Sequence, residues 1–309
     1  MMPNPQIEHV IPEPLVGERV DRVVSFFTGL SRSKVSNLIK EGKVRKNDIP
    51  VRRGAERAME GDVLLFPNPK SMPVLEVKPD PNVHFEVAYE DDQLVIVDKP
   101  SGLVVHPGAG KKEGTLVNGL LHRYPEMGNI GEPNRLGLVH RLDKGTSGLL
   151  LVARTEEALG DLNKQMVRRE IGRTYFAIVC EHLTSKKGTI EAPLGRDPKN
   201  PIKRAVIENG KDARTHYTVI AKYEKPAKIT TVQCVLETGR THQIRAHFAA
   251  INHPVLGDSL YGGVNPTDYL TRPALHAEKL EIRHPRTKKE ISFSSRIPDD
   301  LSILLKQAK

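Results

Sequence analysis

The run His140-Arg141-Leu142-Asp143-Lys144-Gly145-Thr146-Ser147-Gly148 empties directly into the apolar Leu149-Leu150-Leu151-Val152-Ala153. A charged loop feeding a buried strand sets Asp143 on a rigid support at a sheet edge, where a carboxylate can be aimed. Spacing excludes two other chemistries. A phosphate-binding P-loop carries its lysine after the glycines, but Lys144 precedes Gly145; a serine nucleophile elbow needs glycine two places after the serine, but position 149 is leucine. A second polar run, Glu237-Thr238-Gly239-Arg240-Thr241-His242-Gln243-Ile244-Arg245-Ala246-His247, lies between a strand and a helix. Polar side chains at a helix N-terminus suit a phosphate or a carboxylate. His242 and His247 stand about 140° apart around a helix and so share no metal-binding face. A third segment, Arg173-Thr174-Tyr175-Phe176-Ala177, opens a strand; taken alone, its aromatics read as core.

These residues need a scaffold, and hydrophobic patterning supplies one. Val20, Val23, Val24 and Phe27 recur with helical spacing; Val35, Leu38 and Ile39 make a second stripe after an N-cap at Ser31, and Gly42 is its stop. Val44, Ile49–Val51 and Val63–Phe66 read as short strands. Pro67–Pro81 holds five prolines and reads as a linker. Beyond it, strands are expected at Phe85–Tyr89, Leu94–Asp98, Arg173–Cys180, His216–Tyr223, Ile229–Leu236, Leu280–Arg283 and Ile291–Phe293. Helices are expected at Thr115–Arg123, Glu156–Arg168, Thr241–Ile251 and Asp299–Gln307. Strands and helices without a regular βαβ beat predict an α+β fold.

The chain has 309 residues, with 47 Lys plus Arg against 38 Asp plus Glu, a net charge of +9. That balance favours an anionic partner, nucleic acid first. Nine basic residues against three acids fall between Ser31 and Arg57. The longest strongly apolar run, Gly148 to Ala153, is far below the ~18 residues of a membrane span. Cys180 and Cys234 are the only cysteines. A disulfide framework and a structural zinc are not expected, and a reducing cytoplasm fits.

Helix, turn, basic helix and small strands over Gly17–Phe66 resemble the S4 RNA-binding domain, with Arg32, Lys34, Lys43 and Arg45 on its basic surface. The three chemistry-bearing segments together resemble the pseudouridine synthases of the RluA/RluD family. So do Asp98-Lys99-Pro100-Ser101-Gly102-Leu103-Val104-Val105-His106-Pro107, Gly195-Arg196-Asp197-Pro198, His253-Pro254-Val255-Leu256-Gly257-Asp258 and Ala274-Leu275-His276-Ala277. With the S4-like module in front, the layout is most similar to the RluD branch.

The resemblance implies a division into an extension (1–16), an S4-like module (17–66), a linker (67–83) and a mixed, mainly antiparallel-sheet catalytic domain (84–309). It implies isomerisation of uridine to pseudouridine in large-subunit ribosomal RNA or its precursor particle, with no cofactor and no metal; a monomer is the default expectation, in the cytoplasm that the cysteine usage fits. The N1–ribose bond breaks, the base turns, and C5 joins the same ribose carbon. Asp143 matches the family's catalytic aspartate. Whether it adds to the base, attacks the ribose carbon or removes a ribose proton stays open. Tyr175 matches the active-site tyrosine, as a stacking surface or proton acceptor. Arg245 matches the basic residue that pairs with Asp143; Arg240 competes for that pairing, and phosphate binding is the other use of Arg245. The family likeness suggests that Arg141 fills the space left by an everted uridine, and that His140, Arg240, His242 and Gln243 contact RNA. A RluC-like or transfer-RNA-directed enzyme, or a non-catalytic RNA-binding protein, are the competing readings.

Overall fold

In the computed structural model of the chain, residues 6–30, 32–69, 77–108, 110–131 and 135–309 are described. The chain divides into two compact units, Met1–Leu75 and Glu76–Lys309.

The first unit is built as the helical spacing requires. Helices α1 (Val20–Thr28) and α2 (Arg32–Lys40) turn Val20, Val23, Val24, Val35, Leu38 and Ile39 into one core with Leu64 and Phe66. Gly29 ends α1 in the left-handed region at φ +66, which a side chain would resist. The expected cap at Ser31 lies outside the described residues. Strands β1 (Gln6–Val10), β2 (Arg45–Lys46), β3 (Ile49–Pro50) and β4 (Val63–Pro67) form a sheet in the order β1-β4-β2-β3. The segment expected to be an extension thus supplies an edge strand, β1, paired along its length with β4. Only Ile7 is an apolar residue on the inward phase of β1, and Val10 falls on the outward one, so no alternation announces the strand. His9 fills the remaining inward place by stacking on Phe27 at 4.3 Å.

Within the expected linker, residues 70–76 lie outside the described set. The part from Lys78 onward belongs to the second unit: Asn118 Nδ2 donates to the Lys78 carbonyl at 2.8 Å, and Asp80 N–H donates to the Asn118 carbonyl at 3.0 Å.

The second unit contains β5 (Glu86–Glu90), β6 (Leu94–Lys99), α3 (Leu116–Arg123), β7 (Ser147–Ala153), α4 (Glu156–Val167), β8 (Gly172–Cys180) and β9 (Lys187–Glu191). There follow β10 (Leu194–Arg196), β11 (Arg204–Val206), β12 (Arg214–Tyr223), β13 (Ile229–Leu236), α5 (Gln243–Ala250), β14 (Leu275–Arg283), β15 (Glu290–Ser294) and α6 (Asp299–Gln307). A nine-stranded mixed sheet runs β5-β6-β7-β14-β8-β13-β12-β9, with β15 also on β14; β10 and β11 form a separate pair. Among the described residues only the β7–β14 pairing is parallel, limited to His276–Ser147 and Ala277–Gly148. Gly148 has φ +105, and a Cβ there would collide with the Ala277 carbonyl, so the strand that follows the Asp143 loop can meet β14 only through glycine.

The α+β expectation agrees with this mixed, mainly antiparallel sheet. Most boundaries shift by a residue or two, and two of the differences bear on the site. β14 begins at Leu275, five residues before its predicted start, because Leu275–Ala277 pair with β8 and His276 and Ala277 also with β7. α5 begins at Gln243 and not at Thr241, because His242 takes a left-handed φ of +59. Among the described residues no helix is long and apolar enough to cross a membrane.

Candidate active site

The centre of the sheet brings the three segments together. Ala277 of β14 pairs with Gly148 on one side and with Tyr175 of β8 on the other, and Tyr175 also pairs with Cys234 of β13. The loop carrying Asp143 precedes β7, and α5, carrying Arg245, follows β13. Asp143 and Arg245, 102 positions apart in sequence, meet with Arg245 Nη1 donating to Asp143 Oδ2 at 3.2 Å.

Arg245 is held from behind by a residue that spacing did not single out. Its Nε donates to Asp258 Oδ2 at 2.6 Å and its Nη2 to Asp258 Oδ1 at 2.9 Å, a bidentate pair with Asp258 only 1% exposed. The guanidinium also lies over the Tyr261 ring, 5.0 Å from its centroid. Burial alone would lower the Arg245 pKa, but the hydrogen bond to Asp258 and the charges of both aspartates outweigh it and raise it. One cation therefore serves two carboxylates. Asp258 takes two of the guanidinium's donors, and Nη1 orients Asp143.

His242 places Nε2 3.9 Å from Asp143 Oδ1, and its Nδ1 shares a 3.1 Å hydrogen bond with the Tyr261 hydroxyl. Burial lowers its pKa, with Asp143 pulling the other way. Arg240 does not take the Asp143 pairing; its Nε donates to the Asp212 carbonyl at 2.9 Å.

Tyr175 is buried and lines two adjoining cavities, as do Asp143, Arg141 and Arg240. The cavities measure about 220 Å³ and about 50 Å³; Arg245, His242 and Gln243 line the smaller. Burial raises the Tyr175 pKa, with Arg173 opposing and Asp143 adding to the rise, so the ring presents a neutral phenol. Arg141 is exposed at the mouth of both cavities.

Two expected RNA contacts are turned to structural use. His140 accepts a hydrogen bond from the Leu151 N–H at 3.1 Å through Nε2. Burial, helped by Arg173, lowers its pKa to about 3, so the ring is neutral and braces the loop on β7. Gln243 is buried. Its Oε1 accepts from Thr238 Oγ1 at 2.7 Å and from Arg240 N–H at 3.0 Å, and its Nε2 donates to the Arg214 carbonyl and to Thr215 Oγ1, both at 3.0 Å. Those bonds shape the turn that starts α5 and leave its amide no group for RNA. In the first unit, Arg32 donates to Asp21 at 3.2 Å and Lys43 pairs with Glu41 at 2.8 Å, while the Nε of Arg45 is buried with no partner; Lys34 stands on α2.

A match to the family of RNA pseudouridylate synthases runs over residues 93–250, more than half of the chain. The chain belongs to that family. A ribosomal large subunit pseudouridine synthase D of Xanthomonas campestris pv. campestris is 41% identical over 96% of this chain and 90% of its own length. Another protein of that name, from Nitrosomonas europaea, is 46% identical over 72% of this chain and 65% of its own. Among solved structures, human RNA pseudouridylate synthase domain containing 1 superposes with a TM-score of 0.56 at 25% identity, covering 74% of this chain and 96% of that one. The matched stretch of this pseudouridylate synthase family member holds Asp143, Tyr175 and Arg245 but stops short of Asp258.

Proposed function

We propose that this enzyme isomerises uridine to pseudouridine in large-subunit ribosomal RNA, with Asp143 as the catalytic carboxylate. The carrying observation is the Asp143–Arg245–Asp258 chain, which holds one carboxylate in a fixed direction beside a cavity rich in cations. The names of the relatives support the ribosomal substrate. The reaction balances internally: the N1–C1′ bond breaks, a C5–C1′ bond forms, C5 loses a proton and N1 gains one. Arg245 fixes the direction of Asp143. Tyr175 lies beside it with a neutral hydroxyl and a ring face for the uracil.

Everting a uridine costs on the order of a few kcal/mol and is cheapest in loops. Arg141, exposed at the mouth, is suited to fill the gap, since a planar cation stacks on bases and binds phosphate together. The first unit, with Arg32, Lys34, Lys43 and Arg45, is read as an S4-like module that binds the RNA backbone, which adds affinity and salt dependence. Acting on ribosomal RNA, the enzyme works in the cytoplasm, as a monomer.

The test is pseudouridine mapping of total RNA from cells lacking this protein, rescued with the wild-type chain or with Asp143→Asn. Loss at one ribosomal stem-loop, restored by the wild type only, is the expected result. Loss confined to transfer RNA overturns the substrate. Rescue by Asp143→Asn overturns the assignment of Asp143 as the catalytic carboxylate.

A further inference from the structure

Arg173 stands on β8 two residues before Tyr175, is 5% exposed, and lines the 220 Å³ cavity. Among the described residues it makes no ion pair and no side-chain hydrogen bond, and its Nε is a buried donor with no partner. Every other buried arginine of the second unit is matched: Arg245 by Asp258 and Arg272 by Asp300. A guanidinium does not shed its proton, so a buried one without an anion is costly unless something brings the anion. The chain nonetheless makes room for it. A Cβ on Gly239 would lie 2.5 Å from Arg173 Nη1, so the glycine ahead of α5 leaves the space the guanidinium occupies. Arg141 and Arg240 reach the same cavity, and among its described lining residues Asp143 is the only acid.

We infer that Arg173 is an anion anchor that takes a backbone phosphate flanking the everted uridine, placing the nucleotide over Asp143 and Tyr175. A phosphate is favoured over a uracil carbonyl because only an anion matches a buried unpaired cation, and the planar fork of arginine fits two phosphate oxygens. The inference rests on the reading of this cavity as the uridine site.

The experiment uses the full chain and an RNA that the wild type modifies, with the phosphodiester 5′ or 3′ of the target uridine replaced, one at a time, by an uncharged methylphosphonate. One of the two replacements should weaken wild-type binding about tenfold. Arg173→Gln should lose about as much on native RNA and nothing further on that replaced RNA, because the same contact is removed twice. Its slope of log affinity against log salt should be shallower by about 0.7, and Arg173→Lys should restore the slope. Arg173→Gln should melt no lower than the wild type, since it removes an unpaired buried charge; if it fails to fold, Arg173→Lys carries the test through a loss confined to the native linkage. Additive losses, or an unchanged salt slope, overturn the anchor while pseudouridine formation by the wild type keeps the functional reading. A wild type that forms no pseudouridine on any RNA overturns that reading, and the anchor with it.

Discussion

The second unit has a larger cavity than the one beside Asp143, and the two differ in how their charges are met. The larger, about 720 Å³, is lined by Lys99, Ser101, Arg272 and Asp300 among others. There Arg272 binds Asp300 through Nε at 2.7 Å and Nη2 at 2.8 Å, and the Lys99 ammonium donates to the carbonyls of Pro100 and Leu103 at 2.8 and 2.9 Å. In the two cavities beside Asp143, Arg173 lines one and makes no ion pair among the described residues, and Arg245 lines the other and serves two carboxylates. The larger cavity is thus not the one that the proposed function uses. The proposed site differs in carrying a buried arginine, Arg173, that the fold leaves without an ion pair among the described residues. The larger cavity is the underside of the Asp143 loop: Lys99 Nζ and the Gly102 N–H both donate to the Lys144 carbonyl, and Ser101 Oγ to the Gly145 carbonyl at 3.1 Å. One cavity holds the loop and the other uses it.

The contrast is broken most directly at Asp258. Asp258→Ala leaves Arg245 with Asp143 as its only carboxylate, which should pull the cation onto Asp143 and quench it. Removing one partner of a buried pair costs about 3–5 kcal/mol, reduced here because Asp143 still faces the guanidinium. Urea unfolding should show that loss, and single-turnover pseudouridine formation should fall by far more than RNA affinity. Equal stability and full turnover would mean that Asp143 is oriented without the Asp258 brace. Tyr175→Phe is the next smaller effect. The ring and its packing stay, so binding should hold within a few-fold, while loss of proton transfer should slow the chemical step by ~10²–10⁴. A rate near the wild type would leave the tyrosine a stacking role only.

How much of this was legible in the residues depended on range. Ile229–Leu236 and Asp299–Gln307 match the patterned reading end for end, and the motifs picked out Asp143, Tyr175 and Arg245, which the fold brings to one place. Asp258 and Arg173 lay within segments already singled out, yet their use is set by what the fold brings to them. Nothing local in Gly257-Asp258 says that its carboxylate will meet an arginine on the preceding helix. Nothing in Arg173-Thr174-Tyr175 says that the arginine will be buried without a partner. Gln243 and His140 were read without their structural bonds for the same reason: a polar side chain beside a motif looks free until its backbone partners, Arg240 N–H and Leu151 N–H, are seen.

The smallest expected effect tests whether the larger cavity is as settled as it looks. Burial lowers the Lys99 pKa to about 7, with Asp143 opposing and Arg272 adding to the fall. In the unfolded chain a lysine titrates near ~10.4. Between those values the unfolded state binds the extra proton, so this residue makes stability rise with pH from about 7 to ~10.4, and the gain is lost as pH falls through 7. Lys99→Met has no proton to lose, so the rise should be shallower in the variant, measured by urea unfolding at several pH values across that window. The carbonyls around Nζ work the other way, because an ammonium offers three donors and a neutral amine two. If wild type and variant show the same pH dependence, those carbonyls hold the proton through the window. The larger cavity would then carry a permanent buried cation as the smaller one does, and the difference between them would reduce to whether carbonyl dipoles or an incoming phosphate meet it.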